Sequence, residues 1–122
     1  MSEIISSAIT TKVSGGSAAS GTFTATTVPT TVSIFSTVAN EYARVFISAS
    51  WGSPYQATFK VKINSTDIIS KTTGSGGPNT GSIDITEVLL PPSSTLNVYG
   101  VEASGTASFS WKVSYVKFIN SP

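Results

Sequence analysis

The sequence predicts an all-β fold, and three observations support that prediction. Serine and threonine occupy 39 of the 122 positions, whereas leucine, glutamate and glutamine, which favour helices, are scarce. Hydrophobic residues make up 39% of the chain and the net charge is +1, a balance that opposes disorder. Short runs of alternating apolar and polar residues follow one another between turns rich in glycine, proline and serine. We therefore expect one antiparallel β-sandwich or barrel.

The clearest strand runs from Tyr55 to Ile63, where apolar residues at the odd positions alternate with polar ones. The last strand, which begins at Phe109, shows the same alternation. Seven weaker segments complete a set of about eight or nine strands, a number typical of a sandwich. These segments are Ile4 to Val13, Thr22 to Val28, Thr31 to Val38, Tyr42 to Ser50, Thr66 to Thr72, Ser82 to Leu89 and Thr95 to Glu102.

The alternation of the last strand places Trp111 in the core and then changes phase. Val116 and Phe118 are apolar on the side that carried serines and a lysine, which predicts a β-bulge near Val116. The turn at Ser104 and Gly105 predicts that this strand pairs with the preceding one as a hairpin.

The segment Tyr42 to Ser50 is apolar on both faces. Its odd positions form one continuous apolar face, while Tyr42 and Phe46 lie on the other. A strand that is apolar on both sides is expected to be covered on both sides, by the opposite sheet and by a subunit or loop. Tyr42 and Phe46 are therefore the predicted subunit interface.

The chain lacks the residues that most enzyme chemistry needs. With no histidine and no cysteine, the chain has no Ser-His-Asp or Cys-His nucleophile, no Cys/His zinc site and no disulfide. Among the six carboxylates only Asp84 and Glu87 are close in sequence, and in a strand they point to opposite faces. We expect no catalytic residue, no cofactor-binding residue, no metal site and no enzyme activity.

Charge and hydropathy also exclude some partners. Six lysines and one arginine are scattered and form no basic stripe, so nucleic acid is not an expected partner. No run of 18 apolar residues and no signal peptide is found, so we expect no membrane association.

Two aromatic residues flank a Gly/Pro turn, in the run Trp51-Gly52-Ser53-Pro54-Tyr55. Flat rings in a loop can stack on sugars, so Trp51 and Tyr55 are predicted as a ligand or interface loop. Trp51 also continues the odd-numbered apolar face of its strand, which favours a place in the core or against a subunit over a ligand contact.

The C-terminal half carries a family resemblance. The run Ser82-Ile-Asp-Ile-Thr-Glu-Val-Leu-Leu-Pro-Pro-Ser-Ser-Thr-Leu-Asn-Val-Tyr99, then a glycine turn and the strand ending near Phe118, resembles the closing strands of small jelly-roll modules. Head decoration or cement proteins and tail-fibre head domains of tailed phages are similar in this respect, as are tumour-necrosis-factor-like folds. The resemblance implies a jelly roll, with an immunoglobulin-like sandwich as the alternative topology.

The same resemblance implies two parts of the chain and a role. Residues 1–21 resemble the arms by which virion proteins grip neighbours, as an arm or first strand, and residues 22–122 would form the sandwich. The implied role is a structural virion protein of a bacteriophage, made in the host cytoplasm and acting at the virion surface as a capsid decoration or cement protein. Its implied partners are itself, as a homotrimer, and the major capsid protein or another virion protein.

Three other functions remain open from the sequence. A carbohydrate-binding tail-fibre or receptor-binding module would bind glycan through Trp51 and Tyr55. A small enzyme would need two convergent carboxylates. An extracellular adhesin or pilus-like domain would need a leader or a sorting tail, and neither is evident in the sequence.

Overall fold

A computed structural model of the chain describes residues 10–74 and 79–121. The described residues form eight strands: β1 (Thr10–Ala25), β2 (Thr30–Ser36), β3 (Glu41–Ser53), β4 (Ala57–Ile63), β5 (Thr66–Thr72), β6 (Asn79–Leu90), β7 (Thr95–Glu102) and β8 (Ala107–Ser121). None of these residues belongs to a helix long and apolar enough to cross a membrane.

The strands form two four-stranded antiparallel sheets. Sheet A has the order β1-β8-β3-β6, and sheet B has the order β2-β7-β4-β5. This order is that of an eight-stranded jelly roll. The predicted all-β sandwich is confirmed, and its strand order is that of the predicted jelly roll and not of the immunoglobulin-like alternative.

The predicted hairpin around Ser104 and Gly105 is wrong. β7 lies between β2 and β4 in sheet B, and β8 lies between β1 and β3 in sheet A, so residues 103–106 pass from one sheet to the other. Both strands are central in their sheets and both of their edges are already paired. Pairing with distant strands therefore replaces the local pairing that a short glycine turn favours.

The predicted β-bulge near Val116 is also wrong. β8 pairs with β3 without interruption from Ser108 to Ile119, and the irregularity lies in β1, between Val13 and Gly15. Val116 therefore stays on the same face as the serines that precede it. The change in the hydrophobic pattern instead reflects apolar side chains on the outer face of sheet A.

Two of the predicted N-terminal strands meet in one long strand. β1 runs through the Gly15-Gly16 pair to Ala25 and pairs with β8 along its whole length. The predicted boundary after Gly21 falls inside β1, where Gly21 lies opposite Trp111. The part of the predicted arm and first strand that precedes residue 10 lies outside the described residues.

The core lies between the two sheets and contains the odd-numbered face of β3, as predicted. The side chains of this face and of the facing strands are buried, and Trp111 is 8% exposed. The Trp51 ring stacks on Phe59 with centroids 5.4 Å apart, and Phe109 joins them at 6.0 and 6.1 Å. Such stacked and tilted aromatic groups contribute beyond their buried area.

Inward-facing glycines leave room for these rings. A Cβ atom at Gly81 would lie 2.2 Å from Cε2 of Trp51, and one at Gly100 would lie 2.7 Å from Cε1 of Phe109. Real Cβ contacts are not that short, so a side chain at either position would displace a core ring. These glycines therefore allow the Trp51 and Phe109 rings to pack in the core.

Candidate association site

The outer face of sheet A carries a patch of apolar side chains at one end, which we call the outer patch. Register places its members on neighbouring strands: Val13 opposite Phe118, Phe118 opposite Tyr42, and Arg44 opposite both Val116 and Leu89. Residues directly opposite each other share a face. The apolar members of the outer patch are Val13, Tyr42, Phe46, Leu89, Val116 and Phe118.

Within residues 10–74 and 79–121, no other layer covers the outer patch. Val13 is 65% exposed and Leu89 is 60% exposed, while the other four members are partly buried by one another. The rings of Tyr42 and Phe118 stack with centroids 5.2 Å apart. Contiguous apolar surfaces on folded domains are typical of sites where proteins associate, so the outer patch is the candidate site.

An ion pair crosses the outer patch. Arg44 Nε lies 2.7 Å from Glu87 Oε2, and the Arg44 guanidinium lies 5.8 Å from the centre of the Phe46 ring. The hydrogen bond to Glu87, followed by the charge of that carboxylate, raises the pKa of Arg44, and the same bond lowers the pKa of Glu87. Both groups therefore remain charged and orient each other beside the apolar side chains.

The sequence reasoning identified two of these residues and missed the rest. Tyr42 and Phe46 lie on the outer face, as their parity in the strand predicted. The change of phase in the last strand was the signal that Val116 and Phe118 lie on the outer face. It predicted a bulge instead. An apolar run on the solvent side of a strand can indicate an exposed contact surface as well as a change of register.

The other half of the outer face carries hydroxyl groups instead. Thr22, Ser110, Ser50 and Ser82 form a row across all four strands, set by the register of each pair. All four are exposed, and two lysines line the shallow depressions around Ser110, Lys112 in one and Lys71 in the other. This half is polar except for Ile85, which is 74% exposed beside Ser48 and Lys112.

The predicted ligand or interface loop is divided between two environments. Trp51 lies in β3 and is 4% exposed, with its ring between Phe59 and Gly81, whereas Tyr55 lies in the following loop and is 47% exposed. The Trp51 indole Nε1 is buried and has no hydrogen-bond acceptor among the described residues. Because both faces of the Trp51 ring are covered, that ring cannot stack on a sugar in this conformation.

The carboxylates of the described residues are held separately. Glu41 lies 3.7 Å from Lys117, Glu87 pairs with Arg44, and Asp67 pairs with Lys60. Within residues 10–74 and 79–121, no three residues of the types that ligate metals come together. Among the same residues, no two carboxylates converge as a pair that could act on a substrate.

Glu102 is the one buried carboxylate of the described chain, at 1% exposure. Its Oε1 accepts a hydrogen bond from the backbone N–H of Ser104 at 3.1 Å, and its Oε2 accepts one from the backbone N–H of Tyr55 at 3.3 Å. Glu102 thereby joins the loop after β3 to the loop after β7. Its role in the fold is structural, because it satisfies two backbone donors that strands do not pair.

The outer face of sheet B carries a charged cluster. Asp67 lies 2.9 Å from Lys60 and 3.3 Å from Lys62, and both lysines lie over the ring of Tyr99. The hydrogen bond from Lys60 lowers the pKa of Asp67, and a weaker bond from Lys62 acts in the same direction. This face is polar, in contrast to the outer patch of sheet A.

The Asp67 cluster should make the free energy of unfolding depend on pH in the acid range. A carboxyl whose pKa is lower in the folded chain contributes stability above its ordinary value and loses that contribution as the pH falls through the folded value. We expect the Asp67→Asn variant to lose part of the decline in unfolding free energy that the unmodified chain shows below about pH 4. Denaturant unfolding followed from neutral pH to acid measures this.

The matched control is Asp84→Asn, because the Asp84 carboxylate forms no ion pair with any described residue. This variant should keep the acid dependence of the unmodified chain. The same acid dependence in the Asp67→Asn and unmodified chains would contradict the assignment.

Comparison with known proteins gives a distant structural match. No protein-family model matches the chain, and no curated protein matches it. A solved structure described by the words "Bacillus endospore appendages form a novel family of disulfide-linked pili" aligns over 92% of this chain and 92% of its own, at 13% identity and a TM-score of 0.38. This chain has no cysteine and cannot form disulfide links.

The family models and the curated proteins therefore show no phage protein family. Of the resemblance drawn from the sequence, the β-sandwich fold is confirmed by the strand order of the two sheets.

Proposed function

We propose that this chain is a non-enzymatic structural protein of a virion, a capsid decoration or cement protein that acts at the particle surface through subunit contacts. The outer patch is the observation that supports the proposal. Val13 and Leu89 remain mostly exposed beside the stacked rings of Tyr42 and Phe118, on a face that no other described part of the chain covers. In the proposed assembly this surface is buried against another copy, in a homotrimer, or against the major capsid protein.

The polar groups of the chain favour binding over turnover. The described carboxylates with ionic partners form separate ion pairs, and the buried Glu102 is bonded to backbone donors. The many serine and threonine hydroxyls keep the surface hydrated although the chain carries few charges. Many copies on a regular lattice, each making weak contacts, then hold the particle together by multivalency.

Replacing Phe46 by serine should dissociate the proposed trimer. The change removes a large apolar contact from the outer patch and leaves the odd-numbered core face of β3 in place. We expect the unmodified chain to form a threefold assembly, so that Phe46→Ser lowers the mass in solution to about one third. Light scattering on a sizing column, over a tenfold range of concentration, measures the mass.

The control is Ser50→Ala, which alters the same face of the same strand in its hydroxyl-rich half. Its mass should equal that of the unmodified chain. A monomer of 12.6 kDa for the unmodified chain at every concentration would contradict the trimer.

The virion itself needs a separate test. Antibodies raised against the purified chain should label intact particles from the source organism in electron micrographs, and the label should follow the particles through a density gradient. Label found only in the soluble fraction would contradict a role on the particle.

A further inference from the structure

The two sheets have four edge strands, and three of them carry devices that block pairing with another chain. The amine of Lys71 donates to the carbonyl oxygen of Ser82 in β6 at 2.7 Å, and the amine of Lys117 donates to the carbonyl oxygen of Ser36 in β2 at 3.0 Å. β5 is short, has a register irregularity and carries Asp67. Capping lysines, irregularities and charges are the means by which proteins protect sheet edges.

β6 has further protection along its length. Its pairing with β3 is interrupted between Ile47 and Ala49, opposite Asp84 and Ile85, and Glu87 follows. The hydroxyl of Thr86 also donates to the carbonyl oxygen of Asp84 at 2.9 Å. Both β6 and the two edges of sheet B are therefore poor acceptors of an added strand.

β1 is the exception. It is 16 residues long and has one register irregularity, between Val13 and Gly15; from Gly15 to Ala25 it contains no charged residue, no proline and no further irregularity. Alternate residues of an antiparallel edge strand direct both backbone groups away from their partner strand. Within the described chain, one carbonyl of this stretch has a side-chain donor, that of Thr24, which accepts from the hydroxyl of Thr30 at 2.8 Å.

The side chains of β1 leave this edge open to approach. From Ser14 to Thr22 every residue is glycine, alanine, serine or threonine, and residues 13–20 are all exposed. Small uncharged side chains allow two backbones to reach pairing distance without steric or electrostatic repulsion. The stretch of β1 beyond Gly15 lacks the devices that protect the other edges, and such a stretch is a template for strand addition.

We infer that the free edge of β1 pairs antiparallel with β1 of a second copy, which joins two A sheets into one continuous eight-stranded sheet. The other edges are protected, so a head-to-tail contact of β1 with an unlike edge would meet capped carbonyls or charges. Pairing of β1 with β1 of a second copy about a twofold axis avoids these capped carbonyls and charges. This edge contact by itself joins two copies and no more. Each directly facing hydrogen-bonded pair exchanges two backbone hydrogen bonds.

This edge contact is separate from the outer patch. It uses backbone groups along the free edge, whereas the outer patch uses side chains that point away from the sheet. The inference therefore stands whether or not the proposed trimer forms, and the two contacts give different mass changes.

A lysine at the β1 edge should break the edge contact. Thr22→Lys places a charge on the exposed outer face of the edge strand, and we expect it to lower the mass in solution roughly twofold relative to the unmodified chain. The matched control is Ser110→Lys, because Ser110 lies directly opposite Thr22 on β8 and is equally exposed, one strand inside the edge. Ser110→Lys should keep the mass of the unmodified chain. Light scattering measures all three.

Hydrogen exchange on the unmodified chain gives a second readout that needs no variant. Alternate amides between Gly15 and Phe23 should exchange more slowly as the concentration rises, because pairing protects them. The inference would be overturned if Thr22→Lys had the same mass as the unmodified chain, or if Ser110→Lys lost as much mass as Thr22→Lys. It would also be overturned if exchange in this stretch did not depend on concentration. A threefold loss in Phe46→Ser with no effect of Thr22→Lys would leave the outer patch in place and remove only the edge contact.

Discussion

Replacing Trp51 by alanine is expected to lower the free energy of unfolding by about 3–5 kcal/mol, the usual range when a large buried aromatic side chain is removed. The Trp51 ring is 4% exposed and packs on Phe59, on Phe109 and against the bare backbone of Gly81. Its loss leaves a cavity that these neighbours cannot fill without moving. Since whole domains are stable by about 5–15 kcal/mol, the variant should be close to unfolding at room temperature. Urea denaturation followed by circular dichroism measures the change.

Tyr55→Ala is the matched control, because Tyr55 was predicted together with Trp51 and is 47% exposed. Its free energy of unfolding should change far less than that of Trp51→Ala. If both variants were as stable as the unmodified chain, and Trp51 fluorescence were quenched by iodide, the ring would be accessible. That result would return the carbohydrate-binding alternative to consideration.

Replacing Glu102 by alanine is expected to lower the free energy of unfolding by about 1–3 kcal/mol, because the backbone N–H of Ser104 then loses its acceptor. The backbone N–H of Tyr55 loses one of two acceptors and keeps the Ser53 hydroxyl oxygen at 3.1 Å. Both donors lie in loops at the same end of the sandwich, and their hydrogen bonds to Glu102 are partly buried. The two loops should also become more mobile, which hydrogen exchange at Tyr55 and Ser104 measures directly.

Glu102→Gln provides the comparison, because its amide oxygen can still accept one of the two hydrogen bonds. We expect it to be more stable than Glu102→Ala and less stable than the unmodified chain. Glu87→Gln, which breaks an exposed ion pair, should have a much smaller effect. Equal stability of Glu102→Ala and the unmodified chain would mean that the loops satisfy their donors in another way.

The sequence predicted much of the candidate site and misassigned the rest. The alternation in Tyr42 to Ser50 placed Tyr42 and Phe46 on the face opposite the core, and the structure has them there. Val116 and Phe118 were visible as an apolar pair out of phase. One strand alone does not reveal whether an out-of-phase residue marks a bulge or an exposed contact, because the answer depends on the register with its neighbours.

The position of Trp51 shows a similar division. Its odd position predicted the core, while its neighbours Gly52 and Pro54 suggested a loop; β3 extends through it to Ser53, and the ring is buried. The space for that ring comes from Gly81, on a strand that is distant in sequence. A glycine that admits a distant ring has no local signature in sequence.

The composition and the twofold periodicity of the sequence by themselves determined an all-β chain, the core face of β3, the burial of Trp111 and the outward position of Tyr42 and Phe46. These properties depend on alternation within one strand, and a strand alternates wherever it is placed. Only the tertiary structure decided that β7 and β8 lie in different sheets, that Val13, Leu89, Val116 and Phe118 join Tyr42 and Phe46, and that β1 is the unprotected edge. Those properties depend on which strands are neighbours, and that choice rests on pairing between segments far apart in the chain, which local pattern does not encode.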